Sequence, residues 1–174
     1  MITTKTIDKF RDLPTPFYFY DLDVLHATCK MVKDESSRVG FKVHYALKAN
    51  ANKRILNIIS SYGFGADCVN FNEIKYAISC GFRSSEIVFA GVGKTDKDII
   101  AALETGILCF NCESIPEIEV IDAIAGKMDK VATIALRINP YIEAHTHRYI
   151  TTAIPESNFG LNLWELKEVL EKLS

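Results

Sequence analysis

Residues 42–50 read Lys42-Val43-His44-Tyr45-Ala46-Leu47-Lys48-Ala49-Asn50. A short apolar run with β-branched and aromatic residues predicts a buried strand, and this one ends on a lysine. Working outward, residues 53–61 read as a helix, 66–69 as a strand and 71–80 as a helix that Asn70 and Glu73 can cap. The unit then repeats. Residues 87–89 are a strand, and Thr95 and Asp98 can cap a helix running through Glu104. Residues 107–110 are a strand, and Ser114-Ile115-Pro116-Glu117 is a capping box with an early proline. Residues 131–138 form a longer apolar strand, followed by a polar loop from 139 to about 158. Asn162-Leu163-Trp164-Glu165 then opens a last helix. Upstream, residues 17–20 read as a strand, and Asp21 caps a helix with Leu22, Leu25, Cys29 and Val32 at helical spacing.

From Val43 this makes five strands, each followed by a helix, which predicts an α/β architecture built on parallel strands. Periodicity leaves two forms open. One is a complete flavodoxin-like open sheet, and the other is a (β/α)8 barrel cut after its fifth unit.

Composition narrows the classes. The 174 residues are 48% hydrophobic and 24% charged, with 20 basic and 22 acidic side chains. Such a balance excludes disorder and gives no electrostatic footprint for nucleic acid or an anionic membrane surface. No apolar run approaches the ~20 residues of a membrane span. The first residues lack the basic-then-apolar pattern of a secretion signal, so a cytoplasmic chain is expected. Five cysteines at irregular spacing do not form a disulfide framework.

Four patterns could carry chemistry. Lys48 ends a strand where barrel enzymes place their sites, and a partly buried amine is a nucleophile toward an aldehyde. Spacing alone leaves a solvated lysine as the plainer reading. Gly91-Val92-Gly93-Lys94-Thr95 lacks the earlier glycine of a phosphate loop, since that position is Val88. Cys109 and Cys112 have CxxC spacing without the further ligands that zinc needs, and His145-Thr146-His147 lies in a polar loop. No metal site is expected.

Taken together, these segments resemble the fold-type III pyridoxal phosphate-dependent decarboxylases. The resemblance rests on Tyr45-Ala46-Leu47-Lys48-Ala49-Asn50, Pro16-Phe17-Tyr18-Phe19-Tyr20-Asp21 and Gly65-Ala66-Asp67-Cys68-Val69 with Glu73. It also rests on residues 88–95, Glu113-Ser114-Ile115-Pro116-Glu117 and Leu136-Arg137-Ile138-Asn139-Pro140. A last series covers residues 144–147, 149–152 and 158–160, and it is similar to the diaminopimelate branch rather than the ornithine or arginine branches. Phe71, Arg148 and Ala153 depart from the pattern.

The resemblance implies an alanine-racemase-like (β/α)8 TIM barrel, here truncated after about five βα units. Residues 1–41 would be an N-terminal strand and helix packing toward a β domain, and 42–174 a partial cofactor-binding barrel. Pyridoxal 5'-phosphate would be the cofactor, held by Lys48 as a Schiff base. Asp67 and Arg137 would lie beside it, Glu73 would order the basic group, and His145 and His147 would belong to a substrate loop. The implied reaction converts meso-2,6-diaminoheptanedioate, a small amino-acid substrate, to L-lysine and carbon dioxide. The implied whole enzyme is a homodimer. Family members carry further site groups downstream, so residues 1–174 alone are expected to be inactive. Three rivals remain: a decarboxylase for a related diamino acid such as carboxynorspermidine, a non-catalytic pyridoxal-carrying module, and a flavodoxin-like domain using the CxxC pair.

Overall fold

The computed structural model describes residues 3–139 and 160–173. A short helix α1 (Thr4–Phe10), capped by the Thr3 side chain, precedes α2 (Leu22–Arg38). The alternating units follow: β1 (His44–Ala46), α3 (Lys53–Ser61), β2 (Gly65–Cys68), α4 (Phe71–Ser79), β3 (Ile87–Phe89), α5 (Asp96–Thr105), β4 (Cys109–Cys112), α6 (Ile115–Lys127) and β5 (Ile134–Leu136). β6 (Ile138–Asn139), β7 (Leu161–Asn162) and α7 (Leu166–Leu173) complete the described chain.

β1 to β5 form one parallel sheet in sequential order. A doubly wound sheet reverses its order at a switch point, and this one does not. With the right-handed crossovers of parallel βαβ units, sequential order puts every connecting helix on the same face of the sheet. The register agrees: His44 pairs with Gly65, Ala66 with Ile87 and Val88 with Cys109, each a step of 21 residues. The flavodoxin-like alternative is thereby excluded, and the barrel arrangement stands.

The core lies on the helix side. Cys68, Phe89 and Phe110 stand in one cross-strand row, and each is at most 1% exposed. The Phe89 and Phe110 rings meet at 5.9 Å. Ile55 and Leu56 of α3, Ile74 of α4, Ile99 of α5 and Ile121 of α6 close over them. α2 joins the same core through Cys29, with Leu25 and Val32 packed beside it. Each such side chain contributes roughly 1.5–3 kcal/mol on burial.

The capping signals were legible. Asp21 accepts from the Asp23 and Val24 amides, and Thr95 and Asp98 form a reciprocal capping box. Asn70 and Ser114 accept from the amides of Glu73 and Glu117. Both glutamates then reach one residue farther back than a capping box does, to the amides of Val69 and Glu113.

Several expectations need correction. Among the described residues no strand pairs with 17–20, whose expected partner is a β domain outside them; Phe10 packs on Phe17 and Phe19, while Tyr18 is exposed. β4 begins at Cys109 rather than Ile107, since register with Val88 sets its start. The apolar run 131–138 is split: Val131 is exposed, and the ladder breaks at Arg137 between β5 and β6. Asn162 does not open a helix. It ends β7, which pairs in parallel with β6, and α7 starts at Leu166. A sixth parallel strand is therefore present among the described residues, and α7, which the periodicity assigned to the fifth strand, follows it.

Candidate functional site

Parallel pairing puts partners on the same face of the sheet, so the rows alternate. Opposite the apolar row stands Ala46, Asp67, Val88 and Cys109, then Asn111 with Ala135. At the carboxyl ends of these strands Lys48, Asp67, Ala90, Asn111, Glu113, Leu136 and Arg137 line one open cleft of about 400 Å³. A second hollow, lined in part by Ile118, Ile121, Ala132 and Val169, lies between α6 and α7 on the helix side.

Lys48 leaves β1 in a single 3₁₀ turn, Leu47–Ala49. Leu47 is fully buried and anchors that turn, while Lys48 is exposed into the cleft. Asn50 fixes the exit: its carbonyl accepts from Tyr45 Oη at 3.2 Å and its Nδ2 donates to Tyr20 Oη at 2.8 Å.

Asp67 is half-buried, and its Oδ1 is sealed from solvent without a hydrogen-bond partner among the described residues. Burial pushes its carboxyl above the ordinary range, while Lys48, His44 and Arg137 pull it back. Its strand begins on Gly65 for a steric reason. A Cβ there would lie 2.3 Å from the Glu86 carbonyl oxygen and 2.3 Å from the His44 ring. His44 Nε2 is likewise buried without a partner, and burial pushes that imidazole down.

Arg137 sits where the β5 ladder breaks. Its amide donates to the Cys112 carbonyl at 2.9 Å, and its carbonyl accepts from the Leu161 amide at 2.7 Å. Its Nη1 reaches both Glu113 oxygens, at 3.2 and 3.1 Å. Glu113 is a buried carboxylate, 5% exposed, to which the sequence reading gives no role, since it takes Glu113-Ser114-Ile115-Pro116-Glu117 as a family motif and 114–117 as a helix start. A polar residue two positions beyond the inward Asn111 was the available signal.

Lys48, Asp67 and Arg137 thus meet at one cleft. Glu73 does not line it: its carboxylate accepts from the Val69 amide at 2.9 Å, at the start of α4. Phe71 is half-buried and packs against the core. His145 and His147 lie outside the described residues. Cys109 and Cys112 end one strand three residues apart, on opposite faces, and burial pushes the Cys112 thiol up to about 12. They make no redox pair.

The cleft fits pyridoxal phosphate. An amine stands at its rim, a cation lies across from it, and an orphaned buried carboxylate oxygen awaits a donor such as a protonated ring or imine nitrogen.

A family model described as the pyridoxal-binding domain of pyridoxal-dependent decarboxylases matches residues 22–174. The diaminopimelate decarboxylase of Bacteroides thetaiotaomicron is 50% identical over 166 residues, which cover 95% of this chain and 43% of that protein. The diaminopimelate decarboxylase of Helicobacter pylori, solved with L-lysine, superposes with a TM-score of 0.81 at 39% identity, over 95% of this chain and 41% of that one. The enzyme from M. jannaschii, also solved with L-lysine, gives 0.81 at 31% identity, over 97% and 41%. The chain spans about two-fifths of the length of these relatives.

Proposed function

The chain belongs to the pyridoxal-dependent decarboxylases through their pyridoxal-binding domain, and on that premise we propose that it is the N-terminal part of a diaminopimelate decarboxylase. The reaction would release carbon dioxide from meso-2,6-diaminoheptanedioate and leave L-lysine. One observation carries this reading: Lys48, the orphaned Asp67 carboxylate and Arg137 share a cleft at the carboxyl ends of the strands, where barrel enzymes do their chemistry.

Lys48 would hold the cofactor through Nζ. Asp67 Oδ1 would accept a hydrogen bond from it, and that bond would offset the cost of burying the carboxylate. Arg137, steadied by Glu113, would present positive charge to anionic oxygen. Bound there, pyridoxal phosphate supplies the electron sink that lets carbon dioxide leave. Once substrate amine takes its place, Lys48 Nζ would hold a proton and return it to the product. His145 and His147 would belong to a loop near the substrate. Glu73 would act at one remove, by holding the exit of the Asp67 strand through the Val69 amide.

The remaining parts of the reading follow from the family. Residues 1–41 would face a β domain supplied downstream, with the exposed Tyr18 and its neighbours as the contact. The whole enzyme would be a cytoplasmic homodimer, and residues 1–174 alone would not turn over. Among the described residues no helix is long and apolar enough to cross a membrane.

The test is turnover by the full-length protein loaded with pyridoxal phosphate. Lysine and carbon dioxide should form from meso-2,6-diaminoheptanedioate far faster than carbon dioxide is released from ornithine, arginine or carboxynorspermidine. Preference for any of those three would overturn the substrate, and absence of all turnover would overturn the activity.

A further inference from the structure

Lys94 is a deeply buried charge beyond the carboxyl end of β3, with a side chain 1% exposed. Its ammonium has three N–H groups and three acceptors. These are the Gly91 carbonyl at 2.7 Å, the Asn111 carbonyl at 2.9 Å and Glu117 Oε1 at 2.6 Å. The Phe89 ring lies under it, 5.4 Å from Nζ to centroid. No donor is left for a phosphate. Burying an ion pair is a poor route to stability, since an apolar pair of the same volume commonly does as well. What this pair does is join three elements: the exit of β3, the strand β4 and the first turn of α6.

The connection continues into the cleft. The second oxygen of Glu117, Oε2, accepts from the Glu113 amide at 2.7 Å. That bond sets the backbone at the residue whose carboxylate grips Arg137. Asn111, whose carbonyl Lys94 holds, lines the same cleft.

We propose that Lys94 is a positioning residue of the cofactor site: through Glu117 it fixes Glu113, and through Glu113 it sets the Arg137 guanidinium facing Lys48 and Asp67. The inference rests on the cofactor reading above and extends it to a side chain that cannot touch the cofactor. If the lysine served stability alone, its removal would lower the melting temperature and leave the cleft as it was.

The experiment uses the full-length protein freed of cofactor and titrated with pyridoxal 5'-phosphate, followed by absorbance. Four proteins are compared: the parent, Lys94→Met, Arg137→Ala and the double variant. Lys94→Met should weaken binding roughly tenfold and shift the visible band of the bound cofactor, while the double variant binds no more weakly than Arg137→Ala. Strictly additive losses, or an unchanged affinity and spectrum beside a lowered melting temperature, would overturn the proposal. Should Lys94→Met not fold, Glu117→Gln carries the same cycle, because it keeps an acceptor for the Glu113 amide and loses the charge. A parent protein that takes up no pyridoxal phosphate would defeat the cofactor reading instead, so the two failures are distinct.

Discussion

The two faces of the sheet are made from alternate residues of the same short strands, and they could hardly differ more. On the helix side, Ala66, Cys68, Ile87, Phe89, Phe110 and Cys112 are sealed from water. On the other side stand Asp67, Asn111, Glu113 and Arg137, with Lys48 at the rim. One face supplies the stability with which the other can hold an unsatisfied carboxylate. Strain and incomplete hydrogen bonding gather where chemistry is done, and the packed side opposes them.

The contrast can be broken or sharpened by substitution. The largest effect is expected from Lys48→Ala. It should lower decarboxylation by the full-length enzyme at least about 10³-fold and abolish the pyridoxyl adduct found by mass spectrometry after borohydride reduction. Melting should barely change, because Lys48 is exposed. Phe110→Ala is the opposite case: a loss of roughly 3–5 kcal/mol in denaturant unfolding. Gly65→Ala should cost about 3 kcal/mol, since the new methyl meets a backbone carbonyl and the His44 ring.

Asp67→Asn tests the contrast most directly. Burial raises the carboxyl's pKa in the folded protein, so its ionised form costs the folded state. That cost is present above the folded pKa and fades as pH falls toward the unfolded value. The variant without cofactor should therefore be more stable at pH 7 by up to about 1 kcal/mol, and the gain should vanish on acidification. The same variant should bind pyridoxal phosphate poorly. An unchanged melting temperature at pH 7 would mean that the orphaned oxygen costs nothing. The smallest effect is expected at Asp34→Ala on α2, whose pair with Lys30 is exposed: no measurable shift of the denaturation midpoint.

Much of this contrast could be read from the chain. The capping residues Asp21, Asn70, Thr95 and Ser114 placed four helix starts correctly, because a cap is a local device. Lys48, Asp67 and Arg137 were found by motif and meet at one cleft. What escaped was set by partners distant in sequence. Ile107 and Leu108 look like a strand, yet the ladder with Val88 begins at Cys109. Val131 looks like core and is 95% exposed, because no described element covers it. β7 is two residues long and takes its identity from β6 alone. Glu113 was hidden because a helix-start signature explained its neighbours and left it no task of its own.

The sequential strand order also bears on how the protein is made. Each of β2 to β5 pairs with the strand synthesised just before it, and the first three steps span 21 residues each. At roughly 5–20 residues per second, the ribosome delivers the next strand within seconds of its partner. Every new unit thus meets a finished edge to dock on, and the sheet grows at one border only, away from β1. Assembly can keep pace with translation, which shortens the time that Phe89 or Phe110 spends uncovered in the cell.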